Sequence, residues 1–519
     1  MSGRARTPHG IRDEADLAER RLAGVALNPA TPHDVLLRIL TAGPPAARTT
    51  LCRDRALPGA VVDAAAGHPD WRTRAFFATN RHVDVAERLR LVDDPDWRVR
   101  THLADGAHTG FDEEPDPLPD WAAARMITTY ENDCLGSFAF TRRFSPRFRV
   151  SMLGHGEPKV RAFGIGMNAW DGLSDEQRAT LLTDPDEEVR ERARSAKEGH
   201  DRDRDPARVE AELPEHGSHF RTHLLLHGAL GPAVIESVLA SPARHDERRT
   251  LANNRALPAG TVALLARDPD PAVRQQIAKR PQLEPGELRL LTVDPDPGVR
   301  LAVSCHPALT EEERAAIDYE VSQDGPFPCR MLPSAPAEPA ESRRLAHSGH
   351  PLLRRRAAMD PRLPQDLLNL LAADPDLGVR VLLAQNHPDA PPELLLRCYL
   401  EYTGRGREDL PGRANFPREG LARYAGHRDP AVRLIAARDP DVAATTVDRL
   451  TRDPDADVRD AFARHARLPL PRLADLLDDE ELAHAAAANP SLPVATIRLL
   501  AGALGRDEAP GTNGAGGLS

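Results

Sequence analysis

The sequence predicts an all-α chain, a solenoid of about 18 short two-helix repeats. Three observations predict it. A phrase of Asp-Pro-Asp followed by Val-Arg recurs from end to end. Its anchor arginines fall 26 residues apart, as Arg48, Arg74 and Arg100 do, and again Arg274 and Arg300. Aromatic residues make up only 4% of the chain, whereas there are 48 prolines. Repetition at a fixed period of this size marks a repeat array. Few aromatics suit thin cores of Ala and Leu. Abundant proline suits many helix starts, because Pro is tolerated in a first turn. The 519 residues would ordinarily suggest about three or four domains. A solenoid grows by stacking, so they are expected to form one continuous body.

Taken in order, residues 1–13 read as a flexible arm and 14–501 as the continuous array. A helical pattern over Glu14–Val25 ends in Asn28–Pro29, and Thr31–Pro32 opens a second helix through Leu40. After Arg100 the next good anchor is Arg161. Leu118–Pro119 and Ser145–Pro146 still open helices in that gap, so a degenerate unit with an insertion near 108–117 is expected. The same logic places a charged polar loop at 197–215 and a surplus near 319–327. That second surplus lies between the anchors Arg300 and Arg355. The last unit contains Ala488–Asn489–Pro490, with Leu492–Pro493 opening a helix to about Ala501. Residues 502–519 are Gly-rich and polar, and are expected to be a disordered tail.

Within one unit, Leu257 to Arg280, Pro258 opens a helix with Val262, Leu264 and Leu265 as its apolar stripe. Asp268 is expected to cap the next helix, with Pro269 in its first position and Asp270 in its first turn, where the dipole favours an anion. Arg274 lies four residues after Asp270, so the two can pair on one face. The same pairing is expected for Asp96 and Arg100, Asp186 and Arg190, Asp296 and Arg300, Asp376 and Arg380, and Asp455 and Arg459. Stacked units would align these pairs into a ladder. Six residues after an anchor arginine stands a turn former: Asn80, Asn254, His306, Asn386 or Asp439, with Asn28 and Asn489 at the matching place.

These features resemble the leucine-rich repeat variant family. The likeness rests on Asn253–Asn254–Arg255–Ala256–Leu257–Pro258, on Leu264–Leu265–Ala266, and on Asp268–Pro269–Asp270 with Val273–Arg274. It covers most of 14–501. The Asp-Pro-Asp-x-x-Val-Arg phrase is also similar to HEAT-type repeats, including those of phycobilisome lyase type. HEAT units usually need more residues. The resemblance implies a right-handed superhelix of α- and 3₁₀-helices. Some members of the variant family carry an N-terminal cysteine cluster for iron–sulfur binding. This chain has no cysteine before Cys52, so that role is not carried over.

The net charge is −11, and only Lys159, Lys197 and Lys279 among its 68 basic residues are lysines. Net acidity argues against generic nucleic-acid binding, which needs a basic surface. The five cysteines show no CxxC spacing, so neither zinc nor a clustered iron–sulfur site is expected. No signal-type or membrane-spanning apolar run is present, and a cytoplasmic, cofactor-free protein is expected.

The paired aspartates read as helix caps, because catalytic or calcium-binding carboxylates would not recur in every unit. His219, His223 and His227 are four residues apart and share one helix face, a geometry that can bind zinc. No glutamate beside His223 supplies a protease base, and an exposed histidine face is the plainer alternative. The stretch 138–149 interleaves Phe138, Phe140, Phe144 and Phe148 with Arg142, Arg143, Arg147 and Arg149. It suits an interface or a base-stacking platform, or else a degenerate repeat with Phe in its core. Trp71 and Trp97 sit 26 residues apart and would form a binding stripe if they face solvent. The expected function is a non-catalytic scaffold for a protein or peptide partner, with the insertions tuning selectivity. The alternative is a HEAT-like nucleic-acid-binding protein or a DNA glycosylase-type enzyme.

Overall fold

A computed structural model describes residues 17–106, 117–130, 138–241, 244–322 and 338–504. The arm 1–13, residues 108–116 of the insertion expected at 108–117, and residues 505–519 of the tail expected from 502 lie outside the described residues; the start of that tail is ordered, since Ala501–Ala503 forms a 3₁₀ turn. The rest is all-α, with no strand among the described residues. Short helices alternate with tight turns, as in Ala259–Leu265, Pro271–Ala278, Pro285–Thr292 and Pro297–Ser304. Some units substitute a 3₁₀ turn, as at Leu89–Leu91 and Leu410–Gly412.

Prolines do start helices, as Pro146 does, but in the phrase around Arg274 the helix begins two residues later than the sequence suggests. The helix carrying Arg274 begins at Pro271, and its cap is Asp270, whose carboxylate accepts from the backbone N–H of Ala272. Asp268 instead accepts from the N–H of Asp270 at 2.9 Å. The first aspartate thus closes the turn and the second caps the helix. The charged stretch 197–215 is not a loop. Helix Glu187–Arg204 runs on through its first part, and Pro206–Glu212 forms another helix. Its charges pair along the helix face, as Lys197 does with Asp201. Of the surplus expected near 319–327, residues 319–322 have no regular structure and 323–327 lie outside the described residues.

The chain divides into two compact units, Met1–Arg194 with Arg418–Ser519, and Ser195–Pro417. In the second, Leu251, Leu265, Val273, Ile277, Leu291, Val299 and Val303 form one buried seam through successive repeats. In the first, the seam joins the first described helix to one near the end of the described residues. Helix Leu17–Leu27 packs on helix Ala483–Ala487, so Ala23, Val25 and Ala26 share a core with Ala485, Ala486 and Ala487. Gly24 makes the approach possible: a Cβ there would collide with the His484 carbonyl oxygen and the Ala487 methyl. The C-terminal repeat therefore occupies the place of a predecessor to the N-terminal one.

Candidate binding surface

Most of the polar side chains that sequence singles out hold the repeats to one another. Arg274 does not pair with Asp270. Its Nε and Nη2 donate to both carboxylate oxygens of Asp294 in the next repeat, each at 2.8 Å, and Nη1 donates to the Asp268 carbonyl. Arg74 with Asp94, Arg161 with Asp184, Arg248 with Asp268, Arg354 with Asp374 and Arg433 with Asp453 repeat this arrangement. The ladder runs through the first aspartate of each phrase, because the second is spent on its cap. Hydrogen bonding from Arg161 holds Asp184 below the usual carboxylate range.

The other expected ladder members divide in the same way. Asp96, Asp186, Asp296, Asp376 and Asp455 each accept a helix-start N–H. Arg100, Arg190, Arg300, Arg380 and Arg459 each donate Nη1 to the carbonyl six residues back. The anchor in the Arg355 unit is in fact Arg354. Arg355 forms a buried pair with Asp376, Nε to Oδ1 at 2.7 Å.

A second bridge uses the turn residue. Asn254 donates from Nδ2 to the carbonyls of Leu225 and Gly228 in the preceding repeat, and its Oδ1 accepts from Ala256 N–H. His306 and His387 replace asparagine there. Nδ1 accepts from the turn N–H, so Nε2 carries the proton toward the Arg280 or Leu363 carbonyl.

The stretch 138–149 is mostly core. Phe140, Phe144 and Phe148 are buried and meet edge to face, with ring centroids 4.7 and 5.5 Å apart. Arg143 is buried as well and donates to the Leu103 and Ala104 carbonyls. Of its arginines Arg147 and Arg149 are exposed, Arg149 donating to the Thr141 carbonyl, while Arg142 is half-buried. Phe138 opens helix Phe138–Arg142, and its side chain lies outside the described residues. The described rings therefore offer no stacking platform.

His219, His223 and His227 share helix His219–His227. His223 Nε2 lies 3.0 Å from Asp203 Oδ2, and the His223 and His227 rings are 5.1 Å apart. Among the described residues no three potential ligands converge on a metal position. Burial pushes the Cys52 and Cys398 thiols up to about 12, so neither is a reactive thiolate.

The two expected tryptophans differ. Trp71 is half-buried, with the Arg98 guanidinium 3.7 Å from its ring centroid. Trp97 is 57% exposed. A third, Trp121, is 58% exposed. Trp121 was legible in helix Asp120–Thr129: Ala122, Ala123, Met126 and Ile127 are its buried stripe, which leaves 121 and 125 outside. Trp121 lines an open groove of about 310 Å³ with Asp93, Ala124, Arg125, Thr128 and Glu157. Arg125 Nε and the Tyr130 hydroxyl both donate to Asp93 Oδ1, at 3.0 and 3.1 Å. Hydrogen bonding from Arg125 holds Asp93 below the usual carboxylate range.

No family model matches the chain, and no curated protein does. The crystal structure of an engineered protein aligns with 91% of this chain and 98% of its own at 14% identity, with a TM-score of 0.10 that carries no argument. Among the described residues no single helix is long and apolar enough to cross a membrane.

Proposed function

We propose that the protein is a non-catalytic scaffold that binds a protein or peptide partner through the outward positions of its repeats. The supporting observation is the pair of solvent-facing tryptophans, Trp97 and Trp121. Trp71, by contrast, is half-buried and taken up by Arg98 of the next repeat. Tryptophan is enriched among the few residues that carry most of the energy at protein interfaces. A repeat array also presents such positions over an extended surface.

Affinity capture with the intact protein, set against a Trp97→Ala/Trp121→Ala double variant, tests this. A defined protein retained by the first and lost by the second is the expected result. Capture of no protein, or equal retention by both, removes the reading. Salt-sensitive binding of single-stranded or duplex DNA in an anisotropy titration would favour the nucleic-acid alternative instead.

A further inference from the structure

We propose that the groove beside Trp121 receives an arginine side chain of the partner, stacked on the indole and paired with Glu157. This deepens the scaffold reading and rests on it.

The chain itself supplies the precedent. Guanidinium groups lie over aromatic rings at Arg98 on Trp71, Arg100 on Tyr130 and Arg407 on Tyr399, at 3.7, 4.1 and 4.8 Å from the centroids. Trp121 is exposed, and no cation among the described residues lies over it. The groove carries two carboxylates and one cation. Asp93 is occupied by Arg125 and Tyr130. Glu157 is exposed and has no ion-pair partner among the described residues. Arg161, which interacts electrostatically with Glu157, is already held in a two-pronged pair with Asp184. The floor is Ala124, and the Thr128 hydroxyl is turned back to the Ala124 and Arg125 carbonyls. What remains is an aromatic face, an apolar floor and one unpaired negative charge. A planar guanidinium on an apolar stem satisfies all three, stacking on the ring while its fork meets the carboxylate. Lysine meets the charge but stacks less well.

Saturation-transfer NMR on the intact protein tests this with N-acetyl-arginine amide, N-acetyl-lysine amide and the uncharged isostere N-acetyl-citrulline amide. The expected order is arginine above lysine, with citrulline silent. Trp121→Ala and Glu157→Gln should each weaken the arginine probe about two- to fivefold, the scale of an exposed cation–π contact. Trp97→Ala should leave it unchanged. Arg125→Ala, which removes the competing cation and frees Asp93, should strengthen it. Circular dichroism confirms that each variant is folded. Citrulline binding as well as arginine, no arginine binding to the wild type, or a Trp121→Ala variant that binds the probe unchanged overturns the proposal. If a captured partner survives Trp121→Ala/Glu157→Gln but is lost with Trp97→Ala, the groove assignment fails and the scaffold reading stands.

Discussion

Asn28 donates from Nδ2 to the carbonyl oxygens of Asn489, at 2.6 Å, and Ala487, at 2.9 Å, across more than 450 residues of chain. Asn489 makes the same two-carbonyl bridge to Ala463 and His465 in the repeat before it, and Asn80 makes it to Cys52 and Arg55. The first repeat therefore docks on the last as an internal repeat docks on its predecessor. Arg55 continues the pattern, donating to the Ala26 and Asn28 carbonyls as Arg280 does to those of Ala252 and Asn254. Arg38, which donates to the Ala501 carbonyl, and the pair Arg498–Asp34 complete the junction.

Asn28→Ala and Asn254→Ala should be equally destabilising. Each strips the donor from two carbonyls and the acceptor from a turn N–H in a buried place. The expected cost is about 1–3 kcal/mol in each case. Urea denaturation of the two variants compares them directly. A silent Asn28→Ala beside a damaging Asn254→Ala would mean the terminal junction is not a true repeat junction.

Gly24→Val should be costly, because backbone and the Ala487 methyl leave no room for a side chain. Overpacking of this kind typically costs about 1–3 kcal/mol. Gly260, whose added Cβ would meet open space, is the control. Gly260→Ala should be neutral or raise the melting temperature slightly, as helix propensity requires.

Arg248→Ala should cost about 3–5 kcal/mol, since it leaves the Asp268 carboxylate buried without its partner. Arg248→Lys should recover only part of that loss, because an ammonium cannot reproduce the two-pronged contact. Thermal denaturation of the pair of variants reads the difference.

Two histidines set an acid limit. Burial, aided by Arg314, pushes His350 down from 6.5 to about 4, and burial, aided by Arg464, does the same to His484. Their folded values lie below the unfolded one, so the unfolded chain binds more protons between the two. Their contribution is fully present above about 6.5 and is lost as pH falls toward about 4. His350→Asn keeps an acceptor for the Leu352 N–H and a donor for Ser304. It should flatten the stability–pH slope in that window while leaving stability at pH 8 nearly unchanged.

The repeat and its period were legible because they are local. The aspartates, prolines and arginines recur at fixed offsets, and each helix start follows from its own few residues. The partners of those side chains were not legible. Arg274 has carboxylates at two distances, Asp270 within its own phrase and Asp294 a repeat later. Only the stacking distance decides between them. The same limit hid the joining of the first and last described repeats, since nothing in the Asn28 turn says which carbonyls its amide meets. In 138–149 the alternation of Phe and Arg fits a surface or a core equally. Burial of Phe140, Phe144 and Phe148 resolves it. Phe148→Ala should therefore unfold the unit, at a cost of about 3–5 kcal/mol, and not act as a binding mutation.

The contact between the terminal repeats is tested most directly by spin labels at positions 34 and 498, where Asp34 and Arg498 form an exposed pair at 2.7 Å. With the native cysteines replaced, Asp34→Cys and Arg498→Cys carry the labels, and double electron–electron resonance reads their separation. A single narrow population at the short end of the measurable range is the predicted result. A broad or long distribution in the folded protein would show that the first and last repeats do not meet.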